Sequence, residues 1–251
     1  MLAGALINTT TIARRELGAM FARPIATIFA VVVMVITGIV FAAQLSFPLA
    51  EGGPPPTLAA PLGWFASLFI FAAPALTMRL LAEEHQTGTI EMLLTLPVRD
   101  LEVILGKFLA ALAFYVLVTS LTFVYPLILL RFGNPDVGPI VTAYLGLILW
   151  GAALLSIGVL ASTVTDNQIT AFALATGAIL LLYLAFLPAE LYAGSVNPLA
   201  ATILRELSLQ SHLNSFFLGL LTARDVVYYV ALTALNLFAA ARLLESRRWR
   251  Q

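Results

Sequence analysis

Two histidines, thirteen carboxylates, thirteen lysine and arginine side chains and no cysteine are the groups from which any chemistry of this 251-residue chain must be built. Lacking a thiol, the chain is excluded from thiolate catalysis, thiolate metal sites and disulfides. Glu83-Glu84 offers the paired carboxylates of a Glu-Glu-x-x-x-Arg membrane-protease pattern, but Gly88 stands where the arginine would be. A zinc protease needs His-Glu-x-x-His on one helix face, and His85 and His212 are far apart in the chain. His212 beside Ser208 and Ser211 has the composition of a base with a nucleophile. On the polar face of an amphipathic helix, however, it is expected to be solvated or packed. Gly106-Lys107-Phe108 holds the only lysine and lacks the upstream glycines and the Ser/Thr of a phosphate-binding loop. Lys107 is read instead as an interfacial anchor beginning a membrane span.

The largest concentration of charge is the stretch Glu83–Lys107, which holds five of the thirteen acids: Glu83, Glu84, Glu91, Asp100 and Glu102. It is flanked by long apolar runs, so it must lie in water at a membrane face. Within this elbow, Gly88 can end one helix and cap the next. Thr89 and Glu91 fill the first turn, and Leu96-Pro97 stops it after about two turns. Ile90, Leu93 and Leu94 follow helical spacing, giving a very short helix that rests one face on the bundle and offers the other to a soluble partner.

The elements that position this elbow are membrane spans. A hydrophobic fraction of 61%, only 10% charged residues and a mean hydropathy of +0.99 mark an integral membrane protein. Its length accommodates about six spans of roughly 20 residues and no sizeable soluble domain. A net charge of zero with no basic patch argues against nucleic acid as a partner.

In chain order, Ile7–Met20 mixes apolar and charged residues as a helix in the headgroup region would. The expected spans are 25–45, 62–81, 103–130, 140–163, 169–187 and 226–243. Ser46–Pro61 is expected as a loop because of Gly52, Gly53 and Pro54 to Pro56. Pro74 is expected to kink span two, Trp64 to anchor its entry, and Pro126 to loosen the last turn of span three. Ala171 with Ala175 and Ala173 with Gly177 give span five small-xxx-small spacing for close packing. Leu213, Phe216, Phe217, Leu220 and Leu221 predict an amphipathic helix before span six, which Thr222–Asp225 opens with capping-box spacing.

With the N-terminus inside, ten cationic residues fall on the inner side against three (Arg131, Arg205, Arg224) outside, which puts both termini, the elbow and the Asp166 turn in the cytoplasm. The middle of each span carries no Asp, Glu, Lys, Arg or His; Arg79, Lys107 and Arg242 lie near span ends. That argues against coupling to an ion gradient, whose carriers keep ionisable residues near the midplane. Having no nucleotide motif either, a transporter of this sequence must take its energy from a partner.

Residues Arg79–Lys107, with the core Glu84-His85-Gln86-Thr87-Gly88-Thr89-Ile90-Glu91-Met92-Leu93-Leu94-Thr95-Leu96-Pro97 followed by Leu105-Gly106-Lys107-Phe108, resemble the first cytoplasmic loop of ABC-2 type exporter permeases. The likeness is closest to the gliding-motility (Gld) type and the nitrous-oxide-reductase maturation permease. It extends to Ser208–Asp225, with His212, Phe216, Gly219, Arg224 and Asp225, and to the terminal Leu244-Glu245-Ser246-Arg247-Arg248-Trp249.

The resemblance implies an all-α, six-helix permease of type V exporter-like fold in the bacterial inner membrane. It also implies an N-terminal interfacial helix, a coupling helix at Thr89–Leu96 and an amphipathic outer segment. Its partners would be an ABC ATPase subunit that binds ATP and Mg, a second permease subunit and, in some systems, an extracytoplasmic accessory protein. The residues it assigns to ATPase coupling are Glu84, Gly88, Thr89, Ile90, Glu91, Leu94, Pro97 and, from the second contact at Thr163–Gln168, Asp166. An intramembrane protease-like enzyme and a non-transporting membrane anchor are the alternative readings.

Overall fold

In the computed structural model, which describes residues 2–22, 24–51, 57–87, 99–133, 135–193 and 198–248, every regular element is a helix. Without water in the hydrocarbon core, backbone groups must be satisfied inside each spanning segment, and helices do this locally. Helix α1 (Leu2–Ala22) is the N-terminal helix, and α2 (Pro24–Glu51) carries span one. Span two begins with α3 (Ala59–Thr77), turns at Met78–Leu81 and ends in α4 (Ala82–Gln86). Span three comprises α5 (Asp100–Leu121) and α6 (Val124–Phe132). Span four is α7 (Val137–Val164), and span five is α8 (Gln168–Leu184) with the start of α9 (Phe186–Ala193). Two short helices, α10 (Pro198–Leu207) and α11 (Leu209–Phe217), precede span six on α12 (Ala223–Arg248). Among the described residues, six helical stretches are long and apolar enough to cross a membrane.

Span four is the centre of the bundle: 72% of its most apolar window is buried, against 22% for spans one and five. It packs against α3, α5, α8, α11 and α12. Such centrality requires close approach, and a Cβ added at Gly151 would lie 2.1 Å from the Tyr115 ring. That ring is itself pinned, because the Tyr115 hydroxyl donates to the Leu147 carbonyl at 2.7 Å. Gly151→Val should therefore cost about 1–3 kcal/mol by overpacking, seen as a lower melting temperature in detergent, whereas Gly177→Val, with nothing within 4 Å of its Cβ, should not.

Several sequence expectations are corrected. Helix α2 runs through Ser46 to Glu51, because Ser46 satisfies its hydroxyl on the Ala42 and Ala43 carbonyls and the cluster of breakers starts only at Gly52. Span three is broken at Thr122-Phe123, earlier than its last turn, because the Pro126 ring cannot coexist with a regular bond to the carbonyl four residues back. That carbonyl, of Thr122, receives the Tyr144 hydroxyl at 3.0 Å and the Tyr125 N–H instead. In span two Pro74 lies inside α3, and the helix gives way to a turn after Thr77. In span five Ala171 and Ala175 are buried with Ile179, while Ala173 and Gly177 face outward, so only one of the two small-residue pairs packs. The amphipathic helix stops at Phe217, since Gly219 adopts φ +82° and its N–H closes on the Phe216 carbonyl. Leu220 and Leu221 consequently lie outside it and are exposed. The capping box at Thr222 is present, with the Asp225 N–H on the Thr222 hydroxyl at 3.3 Å.

Candidate functional site

The described feet of the elbow are α4 and the start of α5, and each is fastened by polar contacts. At the first foot, Met78–Leu81 interrupts span two and strips two amides of their helical acceptors. Ser162 on α7 fills the gap: its Oγ accepts from the Leu81 and Ala82 N–H groups, both at 3.0 Å, and donates to the Met78 carbonyl at 3.1 Å. Ser162, Leu81 and Ala82 are fully buried, so no solvent can substitute. One turn on, His85 Nδ1 lies 3.8 Å from Asp166 Oδ1, which joins α4 to the turn between spans four and five. Asn167 starts the next helix there by accepting from the Ile169 and Thr170 N–H groups.

At the second foot, Gly106 lets α1 lie directly on α5; a Cβ there would come within 2.8 Å of Ile12. Two polar bridges fix this contact. Asn8 Nδ2 donates to Glu102 Oε2 at 3.0 Å, and Lys107 Nζ donates to Glu16 Oε1 at 3.2 Å. Lys107 donates also to Glu84 Oε1 on α4, at 2.8 Å. One ammonium thus holds three elements: the N-terminal helix and both feet of the elbow.

The sequence reading of Lys107 as a headgroup anchor is overturned here. It is 2% exposed, while Glu16 and Glu84 keep about a fifth of their side-chain surface in contact with solvent. The physical reason is that α1 folds over the start of span three and supplies the carboxylate that makes burial of the lysine tolerable. The signal available in the sequence was a lone lysine on a helix face whose other neighbours are apolar, together with a lone acid, Glu16, in the N-terminal helix.

Of the residues assigned to coupling, Glu84 and Asp166 lie at this end of the bundle, on adjoining elements bridged by His85. Gly88, Thr89, Ile90, Glu91, Leu94 and Pro97 fall in 88–98, outside the described residues. The last span also ends here, with Phe238, Ala241, Arg242 and Glu245 lining a cavity together with Arg99, Asp100 and Leu101. The N-terminal helix, the described end of span six and both feet of the elbow therefore share one end of the bundle.

The histidine at the opposite end is buried rather than solvated: His212 is 3% exposed. Its Nδ1 meets Asp225 Oδ1 at 2.6 Å and its Nε2 meets the Glu206 carbonyl at 3.0 Å. With both ring nitrogens occupied, the imidazole has no free position from which to activate Ser208 or Ser211. Ser208 instead caps α11 by accepting the Ser211 N–H. The arrangement at the elbow end is two fastened helix ends joined by one buried ammonium.

Compared with known families, residues 56–239 match the model described as ABC-2 family transporter protein. No curated protein matches the chain.

Proposed function

Because the chain belongs to the ABC-2 transporter family, as a multi-pass membrane component rather than the ATPase, we propose that it is a permease subunit moved by a separate ATP-binding subunit that grips the elbow. The observation that carries this reading is the bridge from Lys107 to Glu16 and Glu84, which joins both feet of the elbow to the N-terminal helix. A push on residues 88–98 then turns span two, span three and α1 together, a rigid-body transition rather than a local bend. Span two carries the motion on to span four through Ser162.

In this reading the elbow end faces the cytoplasm, in agreement with the excess of Lys and Arg there. Thr89–Leu96 is the coupling helix: Gly88 supplies its backbone geometry, and Thr89, Glu91 and Glu84 its polar contacts. Ile90, Leu94 and Pro97 complete its shape. Asp166 belongs to the second, smaller contact. ATP and Mg bind to the partner, and a second permease copy or relative completes the transporter in the bacterial inner membrane, with an extracytoplasmic accessory protein in some assemblies. The activity is export across the membrane or transmission of force through it. Relationship to the gliding-motility and nitrous-oxide-reductase maturation types rests on the elbow, Ser208–Asp225 and C-terminal residues quoted above.

The native absence of cysteine makes the test clean. A cysteine placed at Glu91 should crosslink to the co-expressed ATPase and lower its turnover. Crosslinking that leaves turnover unchanged would mean a passive anchor, and failure to crosslink from any position in 88–98 would remove the elbow from the interface.

A further inference from the structure

At the end of the bundle opposite the elbow, His212 and Asp225 compete for a single proton in a nearly closed environment; they are 3% and 5% exposed. The geometry fixes the count. The Glu206 carbonyl facing Nε2 can only accept, so Nε2 carries a hydrogen. Across the 2.6 Å contact between Nδ1 and Asp225 Oδ1 one further proton is needed, whichever of the two atoms holds it. The second carboxylate oxygen is already served: Thr222 Oγ1 accepts the Asp225 N–H and directs its own hydrogen to Oδ2 at 2.5 Å.

This proton joins two elements that meet also through the Tyr229 hydroxyl on the Leu209 carbonyl and through the rings of Tyr228 and Tyr229 against His212 and Phe216. His212 lies on α11 and Asp225 in the first turn of span six. Helix α11 covers the end of span four, burying Leu209, Leu213 and Phe216 and receiving the Thr142 hydroxyl on the Phe216 carbonyl at 2.8 Å. The other titratable or charged groups around the pair, among the described residues, are Tyr228, stacked on the imidazole at 4.0 Å, Tyr229 edge-on to it, and the exposed Glu206–Arg224 ion pair. Both tyrosine hydroxyls donate to backbone carbonyls, of Leu207 and Leu209, and Arg224 is engaged by Glu206. None of these groups is placed to replace the shared proton.

We propose that His212 and Asp225 form a proton-dependent latch that holds α11 against the head of span six, so that closure of the non-elbow end responds to the pH on that side of the membrane. Once one of the two protons leaves, the imidazole keeps a single N–H: on Nδ1 it still holds Asp225 but turns the Nε2 lone pair against the Glu206 carbonyl, and on Nε2 it turns a lone pair against the carboxylate. Either way the ion pair and one of the two ring hydrogen bonds are lost in a site that water barely reaches, so the latch is tightest while both protons are bound and weakens as pH rises. Histidine is the side chain that ordinarily makes such a change near neutrality. The inference concerns the far end and does not depend on the ATPase reading.

The test uses the full chain in membranes, with one cysteine in place of Leu213, which is buried on α11, and a separate variant with a cysteine in place of exposed Leu218. The modification rate of L213C by a membrane-impermeant maleimide, divided by that of L218C to remove the thiol's own titration, is followed from mildly acid to alkaline buffer. The latch predicts a rise of about tenfold in this ratio with pH, abolished by His212→Gln, which keeps a donor toward Asp225 but cannot titrate. A flat ratio in the His212 background, or the same rise with His212→Gln, overturns it. Should L213C fail to insert, amide hydrogen exchange along α11 in the unsubstituted protein reads the same opening: unchanged relative protection across the pH range, after correction for intrinsic exchange, contradicts the latch, and a selective loss at high pH supports it.

Discussion

Lys107→Met is expected to destabilise the protein by about 3 kcal/mol, because breaking a buried ion pair from one side strands the other charges. The loss is no larger because Glu16 and Glu84 are partly exposed and recover some hydration. Methionine approximates the length of the aliphatic stem, so the change removes chiefly charge. Two carboxylates that had shared one ammonium then face each other across the α1–α4–α5 junction. A diagnostic follows from the arithmetic of charge. Adding Glu16→Gln and Glu84→Gln to Lys107→Met should restore most of the lost stability, since a buried ionic cluster replaced as a whole is often near neutral.

The restored triple variant is the informative one for function. It should melt close to the parent and still bind its ATPase, yet transport per ATP hydrolysed should fall about tenfold, because the feet of the elbow no longer move as one body with α1. Full coupling in that variant would make the bridge a matter of stability alone. Lys107→Arg should fall between parent and Lys107→Met in stability, since it keeps the charge but not the compact shape.

Ser162→Val should have an effect of comparable size. It removes three hydrogen bonds at once and leaves the Leu81 and Ala82 amides and the Met78 carbonyl unpaired in a buried site. Each stranded group costs about 1–3 kcal/mol, less whatever the turn recovers by shifting. The damage should be local to the elbow's first foot. Amide exchange at Leu81 and Ala82 and protease cleavage within 88–98 should rise together, with exchange in the middle of span four little changed. Ser162→Thr, which keeps the hydroxyl, should retain more of the protection. Equal exchange in the parent and Ser162→Val would show that the turn does not rely on Ser162.

The six spans were legible because long apolar runs are a strong signal: the expected 140–163 is observed as Val137–Val164, and 226–243 as Ala223–Arg248. Their interruptions were harder to see. Pro126 announced a disturbance, but the break appears at Thr122, where the displaced carbonyl found the Tyr144 hydroxyl, a partner 22 residues away. Leu220 and Leu221 continued the helical spacing of Leu213 and Phe216, and only the positive φ of Gly219 ended it. Small-residue spacing pointed to span five, whereas the tightest glycine approaches among the described residues fall in span four, at Gly158 against Thr77 and at Gly151 against Tyr115. Such spacing counts small residues without knowing which face a neighbour meets.

The candidate site divides in the same way. Glu84 and Asp166 were visible as charges at span ends and do lie at one end of the bundle. Lys107, Glu16 and Ser162 were not singled out for it, because what each does depends on a partner distant in sequence: the lysine's carboxylates are 91 and 23 residues away, and the serine's amides 81 and 80. His212 was expected to be solvated or packed, and packing prevailed because Asp225 and the Glu206 carbonyl allow its polar ring to be buried.

In the proposed function this chain, whose sequence shows no nucleotide-binding motif, is driven through its elbow by a separate ATPase subunit. The most direct measurement is ATP hydrolysis in material purified from native membranes through a tag on this chain. A nucleotide hydrolase should co-purify, and its ATP turnover should change when residues 88–98 are deleted. Purification of the chain without any hydrolase, or transport by the chain alone in liposomes, would contradict it.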